Sequence, residues 1–250
     1  AIPLTVVAAV GIINAINLID GVNGLSSGYC ITACTMFGTL FYLSGDMKMT
    51  ILAVVSVGAL IPFFLHNVFG KTSKMFIGDG GTLVMGVVIT VFVIETLRSG
   101  SACGAYVGPE VGLIPFSLAV LCIPVFDTLR VMFSRILRGT SPFRPDKTHL
   151  HHMFISLGAS HAATMLAIVL LNTSVVFCWW ALMEAGASLS VQLYAVVGMG
   201  LLVTFGLYHF LEWHLQHRTR LLRFVRRLGY RMHLSRTPTF IRIQKFVDRL

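Results

Sequence analysis

Residues suited to binding phosphate are concentrated in one polar stretch, residues 139–152 (GTSPFRPDKTHLHH), which lies between long apolar segments. Its cation Arg144 suits phosphate oxygens. Three histidines add donors that titrate near physiological pH, namely His149, His151 and His152. A zinc site or an ordinary solvated loop would use the same residue types, although no cysteine or Glu-x-x-His helix partner accompanies the histidines. The composition favours phosphate or substrate contact and leaves both alternatives open.

A second polar segment, residues 14–24 (NAINLIDGVNG), offers oxygen ligands at helical spacing. Asn14, Asn17 and Asp20 are three residues apart, so a helix would place them on one face near its end. Amide and carboxylate oxygens of this kind are the ligands that Mg²⁺ prefers. Asn, Asp and Gly are also common at helix ends and turns. The spacing alone slightly favours that structural role over a metal site.

A third polar segment, residues 69–82, places Asp79 among glycines in the sequence IGDGGT. Glycines let a ligand approach the backbone, and a helix N-terminus attracts phosphate, so Asp79 could hold a Mg²⁺ that accompanies such a phosphate. Phe76 is placed to stack on a base. An N-cap turn explains Asp79 equally well. Residues 70–72 (GKT) resemble the end of a Walker A loop, but Leu65 stands where that loop needs glycine, which excludes it.

The composition indicates a membrane protein. The chain has 250 residues, is 56% hydrophobic and only 12% charged, and has a mean hydropathy of +0.82. Soluble domains carry about 25% charged residues. We therefore predict an all-α polytopic membrane protein, because about 20 apolar residues make one helical span. Seven candidate spans cover residues 2–19, 25–44, 49–66, 80–98, 112–133, 162–184 and 191–213.

The distribution of charge predicts the topology. Residues 1–214 hold nine Lys/Arg and nine Asp/Glu, whereas the last 36 residues hold ten Lys/Arg and only Asp248. The division predicts a transmembrane core, 1–214, and a basic cytoplasmic tail, 215–250. The three polar segments described above lie in the first, third and fifth loops, which also hold most of the cations outside the tail. Alternate loops lie on the same side of a membrane, so the positive-inside rule puts these loops in the cytoplasm and the N-terminus outside. The tail suits anionic lipid headgroups and not nucleic acid, although an ordinary positive-inside tail explains it as well.

Another polar stripe leads into the histidine-rich loop. Asp127, Arg130, Ser134 and Arg138 follow one another at three- and four-residue spacing along the end of the fifth predicted span.

Taken together, four motifs resemble the polyprenyl-phosphate N-acetylhexosamine-1-phosphate transferase family: NAINLIDGVNGL, MFIGDGGT, PVFDTLRVMFSR and SPFRPDKTHLHH. The family includes WecA- and TagO-type initiators of bacterial surface glycans and, more distantly, the MraY translocases. The last motif has the WecA-like form.

The resemblance implies a function. Members of this family transfer a sugar 1-phosphate, here N-acetylglucosamine 1-phosphate or that of a related N-acetylhexosamine, from a UDP-sugar to undecaprenyl phosphate. The reaction releases UMP, needs Mg²⁺ (Mn²⁺ is a substitute) and initiates a cell-envelope glycan. The resemblance also implies a multi-pass protein of the bacterial inner membrane, with its active site on the cytoplasmic face among membrane lipids. It is compatible with a homodimer.

The resemblance also implies roles for individual residues. Two would hold the Mg²⁺ on the pyrophosphate: Asn17 and Asp79. Two would contact uracil: Asn23 and Phe76. Asp20 would support the metal site, and with Asp79 and His149 it makes up the expected catalytic set. Four would contact the phosphates: Arg144, His149, His151 and His152.

Two departures from the family pattern limit this resemblance. Asn23 stands where relatives often carry a second aspartate, so no carboxylate acts there. No Asp-Asp pair occurs in the chain, although the family has one on an earlier loop that is thought to engage the lipid phosphate. Relatives have about eleven spans, so we expect the seven here to be the last seven and to form the UDP-sugar half of the site.

Two other functional classes remain open. A transporter subunit would need ionisable residues in mid-span. The nearest candidates are Glu95 and Arg98, which lie near the end of a span and at a spacing that favours their pairing with each other. An inactive fragment or membrane scaffold is the third class, because the acidic pair is absent.

Overall fold

The structure is a computed structural model that describes residues 2–108, 111–142, 148–220 and 237–249. Helices are the only regular elements among these residues, which confirms the all-α prediction. In chain order they are α1 (Ile2–Leu18), α2 (Leu25–Leu43), α3 (Met47–Phe69), α4 (Gly78–Leu97), α5 (Ala102–Tyr106), α6 (Leu113–Val120), α7 (Cys122–Leu137), α8 (Leu150–Ser156), α9 (His161–Glu184), α10 (Leu189–Leu201), α11 (Leu207–Gln216) and α12 (Pro238–Val247). A π-helical turn, Leu202–Gly206, makes α10 and α11 continuous.

All seven predicted spans are helical, but they do not all qualify as spans. By length and composition, four helical segments can cross a membrane: α3, α4, α9 and the continuous Leu189–Gln216. The bent pair α6 and α7 would be a fifth. The two predicted spans that do not qualify are α1, which has 17 residues, and α2. The described helices therefore confirm a polytopic membrane protein with four to five such spans, fewer than the seven predicted.

Helix α2 lies at the centre of the fold. Nine of its residues are buried, and its Phe37 and Phe41 pack with Phe92 of α4 and Phe116 of α6 at ring-centroid distances of 5.3 to 6.0 Å. Such aromatic clusters contribute strongly to core packing. A helix surrounded by other helices meets little lipid. It therefore tolerates the Ser and Thr residues that make α2 less apolar than its neighbours.

The predicted span 112–133 is not one straight helix, because the chain bends by 72° between α6 and α7. Pro124 lacks an N–H and so cannot pair with the carbonyl oxygen of Val120 four residues earlier. That oxygen instead accepts bonds from the Tyr29 hydroxyl at 2.6 Å and from Asn172 Nδ2 at 2.9 Å. Asn172 Oδ1 also accepts from the Ile123 N–H at 2.9 Å. These buried side chains satisfy the backbone groups that a break inside a membrane leaves unpaired.

Helices α1 and α4 approach closely and position the second and third polar segments. A Cβ at Gly86 of α4 would lie 2.8 Å from the Cα of Ile13 in α1. A larger residue would therefore push the two backbones apart. Because the helices run in opposite directions, this contact places Asn17 at the end of α1 beside Asp79 and Thr82 at the start of α4.

Candidate active site

Asn17 links the two segments for which a metal site was predicted. Its Nδ2 donates to Thr82 Oγ1 at 2.8 Å and to Asp79 Oδ1 at 3.3 Å. Both bonds use the amide nitrogen, so the carbonyl oxygen of Asn17 and the exposed carboxylate of Asp79 form a pair of neighbouring oxygen donors. The structure thus brings together the two residues predicted to hold a metal.

Asp20 lies in the turn after α1, where its Oδ1 accepts from the Ser26 hydroxyl at 2.8 Å. Desolvation raises the pKa of the Asp20 carboxyl; the Ser26 bond opposes this rise, and the nearby negative charge of Asp79 adds to it. Two carboxylates that repel each other beside an amide oxygen are a donor set that a hard divalent cation fits, since such a cation relieves the repulsion.

Asn67, at the end of α3, fixes the loop between α3 and α4 to the turn after α1. Its Oδ1 accepts from the Gly24 N–H, and its Nδ2 donates to the Met75 carbonyl at 2.6 Å. The side chain is buried, so both backbone groups would lose a partner without it. The turn that holds Asn23 and the loop that holds Phe76 are thereby joined by one amide.

His149 is buried and anchored from within the bundle. Its Nδ1 lies 3.0 Å from Oδ2 of Asp127, whose other oxygen accepts from the Arg130 guanidinium at 2.7 Å. Arg130 also donates to the Thr148 carbonyl at 2.6 Å, and the Leu150 N–H lies 3.2 Å from the Asp127 carboxylate. Since Asp127 accepts, Nδ1 of His149 carries the proton and Nε2 is left for another partner.

His151 joins the histidine segment to the turn after α1. Its ring stacks on His149 at 5.7 Å between centroids and meets His152 at 4.2 Å. A Cβ at Gly21 would overlap the His151 ring, so only glycine permits this contact. Burial, together with the neighbouring His152 and His149, lowers the pKa of His151 to about 3, and the ring is neutral at physiological pH.

The remaining predicted residues have different surroundings. The Asn23 N–H donates to His161 Nδ1 at 3.3 Å, which ties the same turn to the start of α9. Phe76 is 73% exposed, and Lys74 Nζ lies 5.5 Å from the centre of its ring. Arg144 lies outside the described residues. Asn14 is exposed on α1.

Two alternatives from the sequence are not supported. No group of three or more His, Cys, Asp or Glu in the described part of the chain could hold a metal ion, so the histidines provide no zinc site there. Glu95 and Arg98 pair with each other at 2.7 Å, as their spacing predicted, and Arg98 is exposed. This pair gives the transporter interpretation no buried ionisable site.

Sequence reasoning missed several residues that position the site. Asp127 was placed in a polar stripe but given no role; an aspartate and an arginine three apart inside an apolar segment are a signal for a buried functional pair. Asn67, Thr82 and Gly21 gave no such signal, because each has a partner that is distant in the sequence and is brought near by tertiary packing.

Comparison with known proteins gives consistent matches. Residues 1–97 match the family described as glycosyl transferase family 4. The chain is 33% identical over 172 residues to the probable undecaprenyl-phosphate N-acetylglucosaminyl 1-phosphate transferase of Bacillus subtilis (strain 168), which covers 69% of this chain and 45% of that relative. It is 36% identical over 183 residues to the decaprenyl-phosphate N-acetylglucosaminephosphotransferase of Mycolicibacterium smegmatis, with 68% of this chain and 44% of the relative covered.

A third relative is the undecaprenyl-phosphate alpha-N-acetylglucosaminyl 1-phosphate transferase of Escherichia coli (strain K12), 28% identical over 170 residues, with 67% of this chain and 44% of the relative covered. The chain thus spans less than half the length of these curated relatives. No solved structure matches it.

Proposed function

The chain belongs to glycosyl transferase family 4, and on that premise we propose that it takes part in the transfer of N-acetylglucosamine 1-phosphate from UDP-GlcNAc to a polyprenyl phosphate. One observation carries the proposal: three polar segments that are far apart in the sequence meet at one end of an apolar bundle. The Asn17–Asp79 contact joins segments 14–24 and 69–82, and the packing of His151 on Gly21 joins segment 139–152 to them. The relatives' printed names supply the polyprenyl phosphate and the sugar.

The reaction exchanges one phosphorus–oxygen bond for another. An oxygen of the polyprenyl phosphate forms a bond to the sugar-bearing phosphorus of UDP-GlcNAc. The bond from that phosphorus to the bridging oxygen breaks, and UMP leaves with the electron pair on this oxygen. Such a displacement needs alignment and neutralisation of negative charge more than covalent catalysis.

Asp79 and the carbonyl oxygen of Asn17 would hold the Mg²⁺ of this site, with Asp20 close enough to raise the local negative charge. The ion would supply charge neutralisation on the pyrophosphate. Thr82 accepts a hydrogen bond from the amide nitrogen of Asn17, which fixes this amide beside Asp79. The protein's contribution here is to keep these oxygens together before substrate arrives.

The histidine segment would contribute donors to the phosphates. Because Asp127 holds Nδ1 of His149, the ring presents Nε2 in a fixed orientation. Arg130 holds the Asp127 carboxylate in place, so a buried ion pair positions the His149 ring. His152 follows His151 on α8 and adds another imidazole beside it.

The loop before α4 would bind the nucleotide. Phe76 presents an exposed aromatic ring, and base stacking on such a ring contributes about 1–3 kcal/mol. Lys74 beside it offers a cation. Asn23, whose turn is tied to this loop through Asn67, would contact the uracil edge.

We place the reaction at the cytoplasmic face of the bacterial inner membrane. The structure is that of a multi-pass membrane protein. The assignment to the cytoplasmic side is supported by the cations, which are concentrated in the tail and in the loops that hold the polar segments.

A transfer assay tests the proposal. Membranes containing the protein are incubated with radiolabelled UDP-GlcNAc, undecaprenyl phosphate and Mg²⁺, and the lipid phase is extracted and counted. We expect lipid-linked label that EDTA abolishes and added Mg²⁺ restores. Absence of lipid-linked label with UDP-GlcNAc and with every other UDP-sugar would contradict the proposal.

A second candidate is UDP-sugar binding without transfer, which is favoured because the sequence holds no Asp-Asp pair of the kind that the family resemblance leads us to expect. In that case calorimetry detects UDP-GlcNAc binding to the purified protein while the lipid phase stays unlabelled. Binding together with transfer excludes this candidate.

A further inference from the structure

The described end of the basic tail folds back onto the helical body. Residues 237–249, here called the C-terminal clasp, consist of α12 and its two flanking turns. The Thr237 hydroxyl accepts from the Phe240 N–H at 3.3 Å, and Pro238 occupies the first turn, so the clasp has its own helix start. Phe240 packs on Phe69 at the end of α3 with ring centroids 4.8 Å apart, and Val247 is buried.

The Asp248 carboxylate at the end of the clasp binds the loop after α3. Its Oδ1 accepts from three successive backbone N–H groups, those of Lys71 at 2.9 Å, Thr72 at 3.1 Å and Ser73 at 3.2 Å. The Ser73 hydroxyl donates to the same oxygen at 2.9 Å. Consecutive N–H groups that converge on one point form a concave anion site, and here a side chain of the same protein fills it.

The charge pattern makes this contact specific. Asp248 is the only acidic residue among the last 36, which hold ten Lys/Arg. The bond from the Lys71 N–H, with those from Ser73 and Thr72, lowers the pKa of Asp248 to about 2, so the carboxylate is charged at physiological pH. A tail that served only to supply positive charge would need no carboxylate in an amide pocket.

The clasp holds a loop that the end of α3 holds as well. Because Ser73 gives its proton to Asp248, its oxygen accepts from His66 Nδ1 at 3.0 Å. Two residues further on, Asn67 holds the Met75 carbonyl. Phe76 follows directly, and Asp79 stands three residues beyond it. The loop 70–77 is exposed along most of its length, so these few bonds fix its course.

We propose that the C-terminal clasp sets the position of loop 70–77 and that Asp248 is a positioning residue for binding of the donor nucleotide by this loop. The identity of the ligand rests on the function proposed above; the contact between Asp248 and the loop does not. Loss of the carboxylate frees three amides and a hydroxyl at once, and Phe76 then samples positions that do not match the nucleotide.

Hydrogen–deuterium exchange tests the contact. In the Asp248→Asn variant, peptides that contain residues 71–73 should exchange about tenfold faster, because bonds to a charged acceptor are replaced by weaker ones. Asp46→Asn is the matched control: Asp46 accepts from the Met49 N–H at the opposite end of α3. This control should leave exchange at 71–73 unchanged. Unchanged exchange in Asp248→Asn overturns the proposal.

Calorimetric titration and steady-state kinetics test the positioning role. We expect the Kd and KM for UDP-GlcNAc to rise about tenfold in Asp248→Asn while kcat stays within about twofold, as for loss of uniform binding. Asp248→Glu, which keeps the carboxylate, should recover part of the affinity. Faster exchange with unchanged nucleotide affinity overturns the proposal. Failure of the proposed function would instead show in the wild-type protein, as no UDP-GlcNAc binding, with the exchange result intact.

Discussion

The Nδ1 atom of His149 lies 3.0 Å from Oδ2 of Asp127, a residue 22 positions earlier in the chain. Asp127 belongs to α7 and is buried with Arg130 one turn later. This contact makes the orientation of the buried His149 ring depend on the ion pair between Asp127 and Arg130.

Removing the Asp127 charge should therefore destabilise the fold as well as release His149. In Asp127→Asn the buried guanidinium of Arg130 loses its counter-ion, which costs about 3–5 kcal/mol of unfolding free energy. Glu95→Gln is the control, since Glu95 and Arg98 have the same three-residue spacing in a solvent-exposed pair and such pairs contribute little. Unfolding in detergent measures both variants. Equal losses would contradict a special role for the buried pair.

Asn67→Leu should loosen two loops at once. The Gly24 N–H and the Met75 carbonyl both lose their partner, and the buried Gly24 N–H alone costs about 1–3 kcal/mol when left unsatisfied. Asn172→Leu is the matched control, because Asn172 is also a buried amide that bonds three backbone groups, at the break between α6 and α7. Both variants should lower stability, whereas only Asn67→Leu should weaken UDP-GlcNAc binding in calorimetry. Equal weakening by both would show that global stability explains the effect.

Gly86→Ala should separate α1 from α4. The added Cβ would lie 2.8 Å from the Cα of Ile13, a backbone atom that cannot move without shifting the helix. The Asn17 amide would then move away from Asp79, and we expect transfer activity to fall about tenfold, as for a small misplacement of a catalytic group. Gly58→Ala, where a Cβ meets nothing within 4 Å, should keep full activity. An active Gly86→Ala enzyme would show that this helix contact does not set the site.

Acid should destabilise the protein through His151. Its pKa falls from 6.5 to about 3 in the folded state, so below pH 6.5 the unfolded chain binds a proton that the folded one does not. Its contribution to stability is present above pH 6.5 and is lost as the pH falls toward 3. Between these values the loss is about 1.4 kcal/mol per pH unit. Unfolding measured at pH 6 and pH 5 should show a steeper decline for wild type than for His151→Gln; equal slopes would contradict this origin.

Helix content and the positions of the apolar segments could be predicted from the sequence, because both follow from local composition. The span count could not. Helix α2 has the length of a span, but its burial by other helices permits polar residues, and Pro124 breaks the fifth predicted span where Asn172 and Tyr29 can satisfy the free carbonyl of Val120.

The sequence also identified the segments that form the candidate site, since its motifs carry the metal and phosphate ligand types. The contacts that assemble them were not predictable. Asn67, Gly21 and Asp248 act on partners that lie 8 to 177 residues away, and nothing local distinguishes them from a helix-end amide, a turn glycine and a tail carboxylate.

The most direct test of a single metal-dependent site is the transfer rate of Asp79→Asn across a Mg²⁺ titration. Asp79 is exposed at the start of α4, so the variant should fold normally, as judged by its melting temperature. We predict a rate at least about 100-fold below wild type at every Mg²⁺ concentration, because an amide cannot replace the carboxylate charge at the ion. Asp46→Asn should match wild type. Wild-type transfer by a folded Asp79→Asn protein would contradict the account.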